Sequence, residues 1–253
     1  MPQGAAEIGA TVNYTIDNCL AFAQRMFRDF DRLVVGKRVL DYGCGHGWQA
    51  VALRLRCRAE HVVGLDVIDE RLAFGAALAG RFGCADRVRF FRDVPAELEG
   101  RFDVVLSLSA FEHFADPMAE LQKMRRQLRP GGHVLLAFAE PWLSHSGSHV
   151  GNFTRIPGTN YPVPWVNLVF SDRALLTLRS KFRDDHVSRL QDIDGGLNRM
   201  TLAKFEEILR SSGLNIADLR YFATAGIPLV TRVPLLRELL TSAASCVLTA
   251  EAE

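Results

Sequence analysis

Short apolar runs alternate with amphipathic stretches over the first 140 residues of this chain. Apolar runs over 38–42, 61–66, 88–92, 103–109 and 133–139 read as strands. The segments between them carry helical spacing. Ile16, Leu20, Phe27, Phe30 and Leu33 predict an amphipathic helix over 16–34. Further helices are expected over 49–58, over 70–82 with Gly83 as the stop, and from Asp116-Pro117 to 128, where Pro130-Gly131-Gly132 breaks the run. A short helix is expected to start at Pro95. Nearly continuous apolar strands alternating with helices indicate a parallel sheet covered on both faces. The rhythm fails over 140–200, which hold Pro141, Pro157, Pro162 and Pro164, with Trp142, Tyr161 and Trp165. That stretch reads as an insertion capping the substrate end, helical near 171–182. Thr201 then suits an N-cap for a helix over 202–211. A strand over 215–222 and a last one over 245–249 follow.

The first strand runs into Asp41-Tyr42-Gly43-Cys44-Gly45-His46-Gly47-Trp48. A glycine turn opening a helix lets a ligand approach the backbone. Dinucleotide folds want G-x-G-x-x-G there. This chain has G-x-G-x-G, with a bulky Trp48 where the third glycine belongs. Asp41 also suits a cation or an amine better than a pyrophosphate.

These residues resemble motif I of the class I S-adenosylmethionine (SAM) methyltransferases, and the resemblance continues in order over residues 38 to 139. Gly64-Leu65-Asp66-Val67 is similar to the family's second strand and its ribose-binding acid. Arg92-Asp93-Val94 is similar to the third strand end, where an Asp commonly meets the adenine amine. Phe102 to His113 resembles the fourth strand with its Glu-His end, and Leu128 to Leu136 the turn into the fifth. The match is closest to the small-molecule group that includes the ubiquinone and menaquinone biosynthesis methyltransferases. The resemblance implies a doubly wound, mostly parallel seven-stranded Rossmann-like sheet, its last strand antiparallel. It also implies a helical lid segment over 1–36, with Tyr14 over the cofactor, ahead of a methyltransferase domain over 37–253. Leu108 departs from the pattern, since relatives often carry Asn there.

On this reading SAM is held by Asp41, Gly43, Cys44, Gly45 and Trp48 at the turn, by Asp66 and Val67, by Asp93 and Val94, and by Ser107, Leu108 and His113. The turn and Asp41 take the amino-acid end, mainly through backbone groups. Asp66 accepts both ribose hydroxyls, and Val67 and Val94 sandwich the adenine. Asp66 and Asp93 have an alternative as N-caps of the helices that follow them. His113, His145 and His149 are the candidates for a general base or substrate ligand. Glu112 is the alternative partner for His113. Trp142, Phe153, Tyr161 and Trp165 line an apolar substrate pocket or form the cap's own core. Arg155, Arg173 and Arg179 are candidates to meet an anionic group. His46, His61, His133 and His186 read as structural or exposed.

Composition narrows the field. The 253 residues are 48% hydrophobic with a net charge of +1 and a pI near 7.7, so no basic field for nucleic acid exists. No apolar run reaches the ~20 residues of a membrane span. No secretory signal is visible at Met1-Pro2-Gln3-Gly4, so a cytoplasmic location is expected. Cys19, Cys44, Cys57, Cys84 and Cys246 are scattered without a CxxC, which supports neither zinc nor disulfides. The expected activity is methyl transfer from SAM to a small-molecule acceptor, with oxygen favoured and no metal. The rival readings are an NAD(P)-dependent oxidoreductase and a non-catalytic SAM-binding protein. Acceptor identity and oligomeric state are not encoded in any motif.

Overall fold

The computed structural model describes residues 15–147, 163–183, 187–189, 192, 196–224 and 233–251. The chain divides into two compact units, residues 1–104 and 105–253.

In the first unit, α1 (Ala21–Met26) and α2 (Phe30–Val34) precede β1 (Arg38–Tyr42), α3 (Trp48–Leu55), β2 (His61–Leu65), α4 (Asp69–Arg81) and β3 (Val88–Phe91). The single helix expected over 16–34 is two short ones. Asp29, between them, takes a left-handed φ of 51°, which a continuous helix does not allow. β1 pairs in parallel with β2, Asp41 opposite Gly64, and β2 pairs in parallel with β3. Val39, Leu40, Val51, Leu53 and Val62 are buried at this core. Gly83, at φ 65°, ends α4 as expected.

β4 (Phe102–Leu108) is followed by α5 (Pro117–Gln127), β5 (Leu128–Ala139), α6 (Val166–Val169), α7 (Asp172–Arg179), α8 (Leu202–Ser211), β6 (Asn215–Ala223), α9 (Pro234–Leu240) and β7 (Thr241–Thr249). Asp116 caps α5, accepting from the Ala119 N–H at 3.0 Å. Thr201 caps α8 through the Lys204 N–H at 3.1 Å. The Glu238 carboxylate of α9 takes the first two α8 donors, Leu202 N–H and Ala203 N–H. Three of the orphan N–H groups of α8 are thereby satisfied. Phe205 packs edge-on against Phe111 and Phe138, at 5.7 and 5.0 Å between ring centroids.

The seven strands lie in the order β3-β2-β1-β4-β5-β7-β6, a doubly wound, mostly parallel α/β sheet as expected. β7 runs antiparallel to both β5 and β6. Two strands are longer than the local pattern indicates: β5 begins at Leu128 instead of near 133, and β7 at Thr241 instead of near 245. Among the described residues, no helix is long and apolar enough to cross a membrane.

Candidate cofactor site

The acids of the first unit stand at the carboxyl ends of its strands, where open α/β sheets bind ligands. Asp41 lies within β1 and is 1% exposed. Neither of its carboxylate oxygens has a hydrogen-bond partner among the described residues. Burial first, and the nearby Asp66 charge second, push its pKa up to about 7. A buried carboxylate without a donor costs free energy unless something cationic or hydrogen-bonding meets it.

Asp66 follows β2 and folds back onto the glycine turn. Its Oδ2 accepts the Gly45 N–H at 2.9 Å, and its Oδ1 accepts the Ile68 N–H at 3.0 Å. Arg71 stands 3.7 Å from Oδ2. Asp66 is therefore not the cap of α4, which starts at Asp69 behind Ile68 with no side-chain cap. A carboxylate offers about four lone-pair sites, so the two bonds leave acceptor capacity. Asp93 is not a cap either. The 3-10 turn Ala96–Leu98 follows Pro95 without a side-chain bond, and Asp93 is exposed.

The glycine turn spends its amides internally. Gly43 and Cys44 both donate to the Leu65 carbonyl, at 2.9 and 2.8 Å, and Gly47 donates to the Cys44 carbonyl at 3.0 Å. With Gly45 given to Asp66, four N–H groups are committed. Those four N–H groups have partners inside the protein, which leaves the carbonyls of the turn as its other backbone groups. A pyrophosphate would meet two carboxylates and few donors here, the reverse of what anion binding requires. The Cys44 thiol is buried and its pKa is raised by that burial, so only its backbone and bulk count. Trp48 opens α3, and its indole packs on Phe74 at 6.0 Å, beside His46 at 5.5 Å.

Val67 is 75% exposed, an apolar side chain held out by a polar clamp. Arg92 donates to the Val67 carbonyl and to the Asp69 carboxylate, each at 2.8 Å. Val94 is half-buried. Sequence reasoning passed over the Arg92 clamp, because its partners lie 23 and 25 residues away.

In the second unit, Ser107 is wholly buried with no partner for its hydroxyl among the described residues, and Leu108 is buried. Ser109, at φ 50°, turns the chain out of β4. His113 Nδ1 lies 2.5 Å from the Gly196 carbonyl. A carbonyl only accepts, so Nδ1 is the donor in this contact. Asn198 fastens the same turn through the Phe111 and Phe114 carbonyls. His145 lies 3.2 Å from the Thr224 hydroxyl, and burial lowers its pKa. Trp142 packs against Val166, Leu175 and Leu197 in a small core, with Arg199 4.8 Å above its ring. Arg179 is 2% exposed and no surface cation. His149, Tyr14, Phe153, Arg155, Tyr161 and His186 lie outside the described residues. Among the described residues no three His, Cys, Asp or Glu side chains gather to hold a metal.

The sequence model of a family described as "Methyltransferase domain" matches residues 15–219. The chain belongs to this family. It is 34% identical over 106 residues to a ubiquinone biosynthesis O-methyltransferase of Pseudomonas aeruginosa, covering 41% of this chain and 45% of that protein. The chain thus spans just under half the length of the curated relatives it matches. A SAM-dependent methyltransferase from Mesorhizobium loti superposes with a TM-score of 0.59 at 20% identity, over 93% of this chain and 100% of that one. A geranyl diphosphate C-methyltransferase from Streptomyces coelicolor, solved with S-adenosylhomocysteine (SAH), gives 0.55 at 12% identity, over 85% and 70%. At those identities the structures speak for the fold alone.

Proposed function

We propose that this chain binds SAM and transfers its methyl group to a hydroxyl of a small-molecule acceptor. The observation that carries the reading is Asp41, a buried carboxylate with no hydrogen-bond partner among the described residues, beside a glycine turn whose amides are already used. That site disfavours a phosphate and suits the α-ammonium of an amino acid. Family membership supports methyl transfer, and the name of the Pseudomonas relative supports the oxygen acceptor.

Bound SAM supplies a methyl group already activated on a sulfonium. The protein's task is to bind, orient and exclude water, and positioning of this kind is worth roughly 7–11 kcal/mol. Asp41 meets the α-ammonium of the amino-acid end. Asp66, fixed by Gly45 and Ile68, accepts from the ribose hydroxyls. Val67 and Val94 give the adenine an apolar face, and Asp93 meets its amine. Ser107, Leu108 and His113 complete the cofactor set. An acceptor hydroxyl must lose its proton, and His113, its Nδ1 turned to the Gly196 carbonyl, is the first candidate for that base. His145 and His149 remain alternatives for that step. Residues 1–36 serve as a lid and 140–200 as the substrate cap.

Calorimetric titration with SAH and with NADH, followed by a labelled-SAM assay on fractionated extract, tests the reading. The expected result is SAH binding, label transfer, and loss of both in Asp66→Ala. Binding of NADH alone, or full activity in Asp66→Ala, overturns it.

A further inference from the structure

Residues 196–200 of the second unit form a strap between the turn that carries His113 and the core of the cap. Towards the turn, the Asn198 N–H donates to the Glu112 carbonyl at 2.9 Å. The Asn198 side chain donates from Nδ2 to the Phe111 and Phe114 carbonyls, at 2.8 and 2.9 Å. The Gly196 carbonyl accepts from His113 Nδ1 at 2.5 Å. Gly196 takes a φ of 123°, which glycine alone adopts readily. Towards the cap, Leu197 is buried with Val166 and Leu175. Arg199 lies over the Trp142 ring and pairs with Asp172 at 2.6 Å. The Met200 carbonyl accepts the Trp142 N–H at 2.7 Å.

The Asn198 amide has one orientation here. Two carbonyls face it, and a carbonyl only accepts, so the NH2 group is turned to both. Its Oδ1 is buried with no hydrogen-bond partner among the described residues. Native proteins rarely leave such an oxygen unmet. The side chain gives up its acceptor to hold the turn. Phe111–His113 is a 3-10 turn of three residues, an element with poor internal hydrogen bonds, so outside donors fix its shape. We infer that Asn198 is a positioning residue for the proposed methyl transfer, acting through His113. The inference rests on that reading and deepens it. A base must stand within hydrogen-bond reach of the proton it takes, and a misplacement of about 1 Å costs about a hundredfold in rate. Asn198 fixes the backbone under His113, and the Gly196 carbonyl fixes the ring.

The test is a double-mutant cycle on the full chain. Initial rates of label transfer from labelled SAM to the active extract fraction are measured at varied SAM for the parent, Asn198→Asp, His113→Gln and the pair. Asp keeps the shape of Asn and puts an oxygen where both donors stood. Asn198→Asp is expected to lose at least about tenfold in rate at saturating SAM, with the KM for SAM within about threefold of the parent. In the His113→Gln background the same change is expected to cost less than about twofold. Asn198→Gln, with its NH2 group on a longer arm, is expected to recover part of the rate. Thr201→Ala removes the cap of α8; it is expected to melt lower and keep the parent rate. A parent-like Asn198→Asp, an undiminished loss on top of His113→Gln, an equal loss in Thr201→Ala, or a raised KM with the rate unchanged overturns the positioning role. If Asn198→Asp fails to fold, Asn198→Ala takes its place in the cycle. His113→Gln at the parent rate removes the base from the parent reading, and no label transfer by the parent chain removes the activity; the inference falls with either.

Discussion

Phe90 occupies the space that a side chain on Gly47 would need: its Cε1 atom lies 2.5 Å from where the β-carbon would stand. The same ring lies 2.6 Å from that point on Gly64 and 2.8 Å from it on Gly75. One aromatic ring of β3 thus packs against the glycine turn, β2 and α4, and three glycines make room for it. Gly75 sits inside a helix, where Ala would normally gain about 1 kcal/mol. Here Phe90 is hemmed in by the other two glycines, and overpacking of such sites costs about 1–3 kcal/mol. Gly75→Ala is expected to lower stability by about 1 kcal/mol in chemical denaturation. Phe90→Leu in that background is expected to cost less than it does alone. A stabilised Gly75→Ala refutes the packing argument.

Asp41 sets a pH dependence whose sign follows from its raised pKa. A carboxyl titrating near 7 when folded, and in the ordinary carboxylate range when unfolded, holds its proton longer in the native state. Its contribution to apoprotein stability is present at low pH and is lost as pH rises from that range through about 7. A ligand that sets its α-ammonium against Asp41 favours the ionised form. SAH affinity is therefore expected to rise with pH up to about 7 and level off above it, by at most tenfold per unit. Binding at pH 6 should release a proton, seen as a calorimetric enthalpy that varies with the buffer. Asp41→Asn should melt higher than the parent at pH 8, bind SAH more weakly and lose the pH slope. A flat profile in the parent chain contradicts this role for Asp41.

Local pattern reached the strands, most helices and the acids at the strand ends, because apolar runs and turn residues act within a few positions. It did not reach what long-range pairing decides. β5 runs through Pro130-Gly131-Gly132 because Gly131 and Gly132 bond to Glu251 and Ala250, far along the chain. The break between α1 and α2 rests on a left-handed Asp29, a residue that gives only a weak turn signal. At the site, G-x-G-x-G announces a turn but not where its N–H groups point. Their use by Leu65, Asp66 and Cys44 depends on the return of β2 beside β1. Asp41 was legible as an acid, but its lack of a partner among the described residues was not.

On the proposed reading, Asp66 joins stability to binding. It accepts from Gly45 and Ile68, and removal of a buried acceptor leaves both N–H groups without it, at about 1–3 kcal/mol. Asp66→Ala is expected to lower the melting temperature by several degrees and to weaken SAH by at least about tenfold. Asp66→Asn keeps one carbonyl acceptor and should recover part of the stability but little of the affinity, because its amide places donors where the ribose also donates. Equal recovery of both would remove the ribose assignment.

On the proposed reading, Arg92 acts on the cofactor only through the turn it holds. Its two 2.8 Å bonds fix the Val67 carbonyl and Asp69, and would keep the exposed Val67 side chain in place for the adenine. The guanidinium is half-exposed, and exposed ion pairs contribute only about 0–1 kcal/mol to stability. Arg92→Met should fold normally and melt within a few degrees of the parent. Its KM for SAM is expected to rise about three- to tenfold with kcat unchanged, since the clamp positions the ground state and the transition state alike. Arg92→Lys restores one of the two contacts and should recover part of the KM. A fall in kcat with KM unchanged would place Arg92 in the chemistry itself and overturn the positioning role.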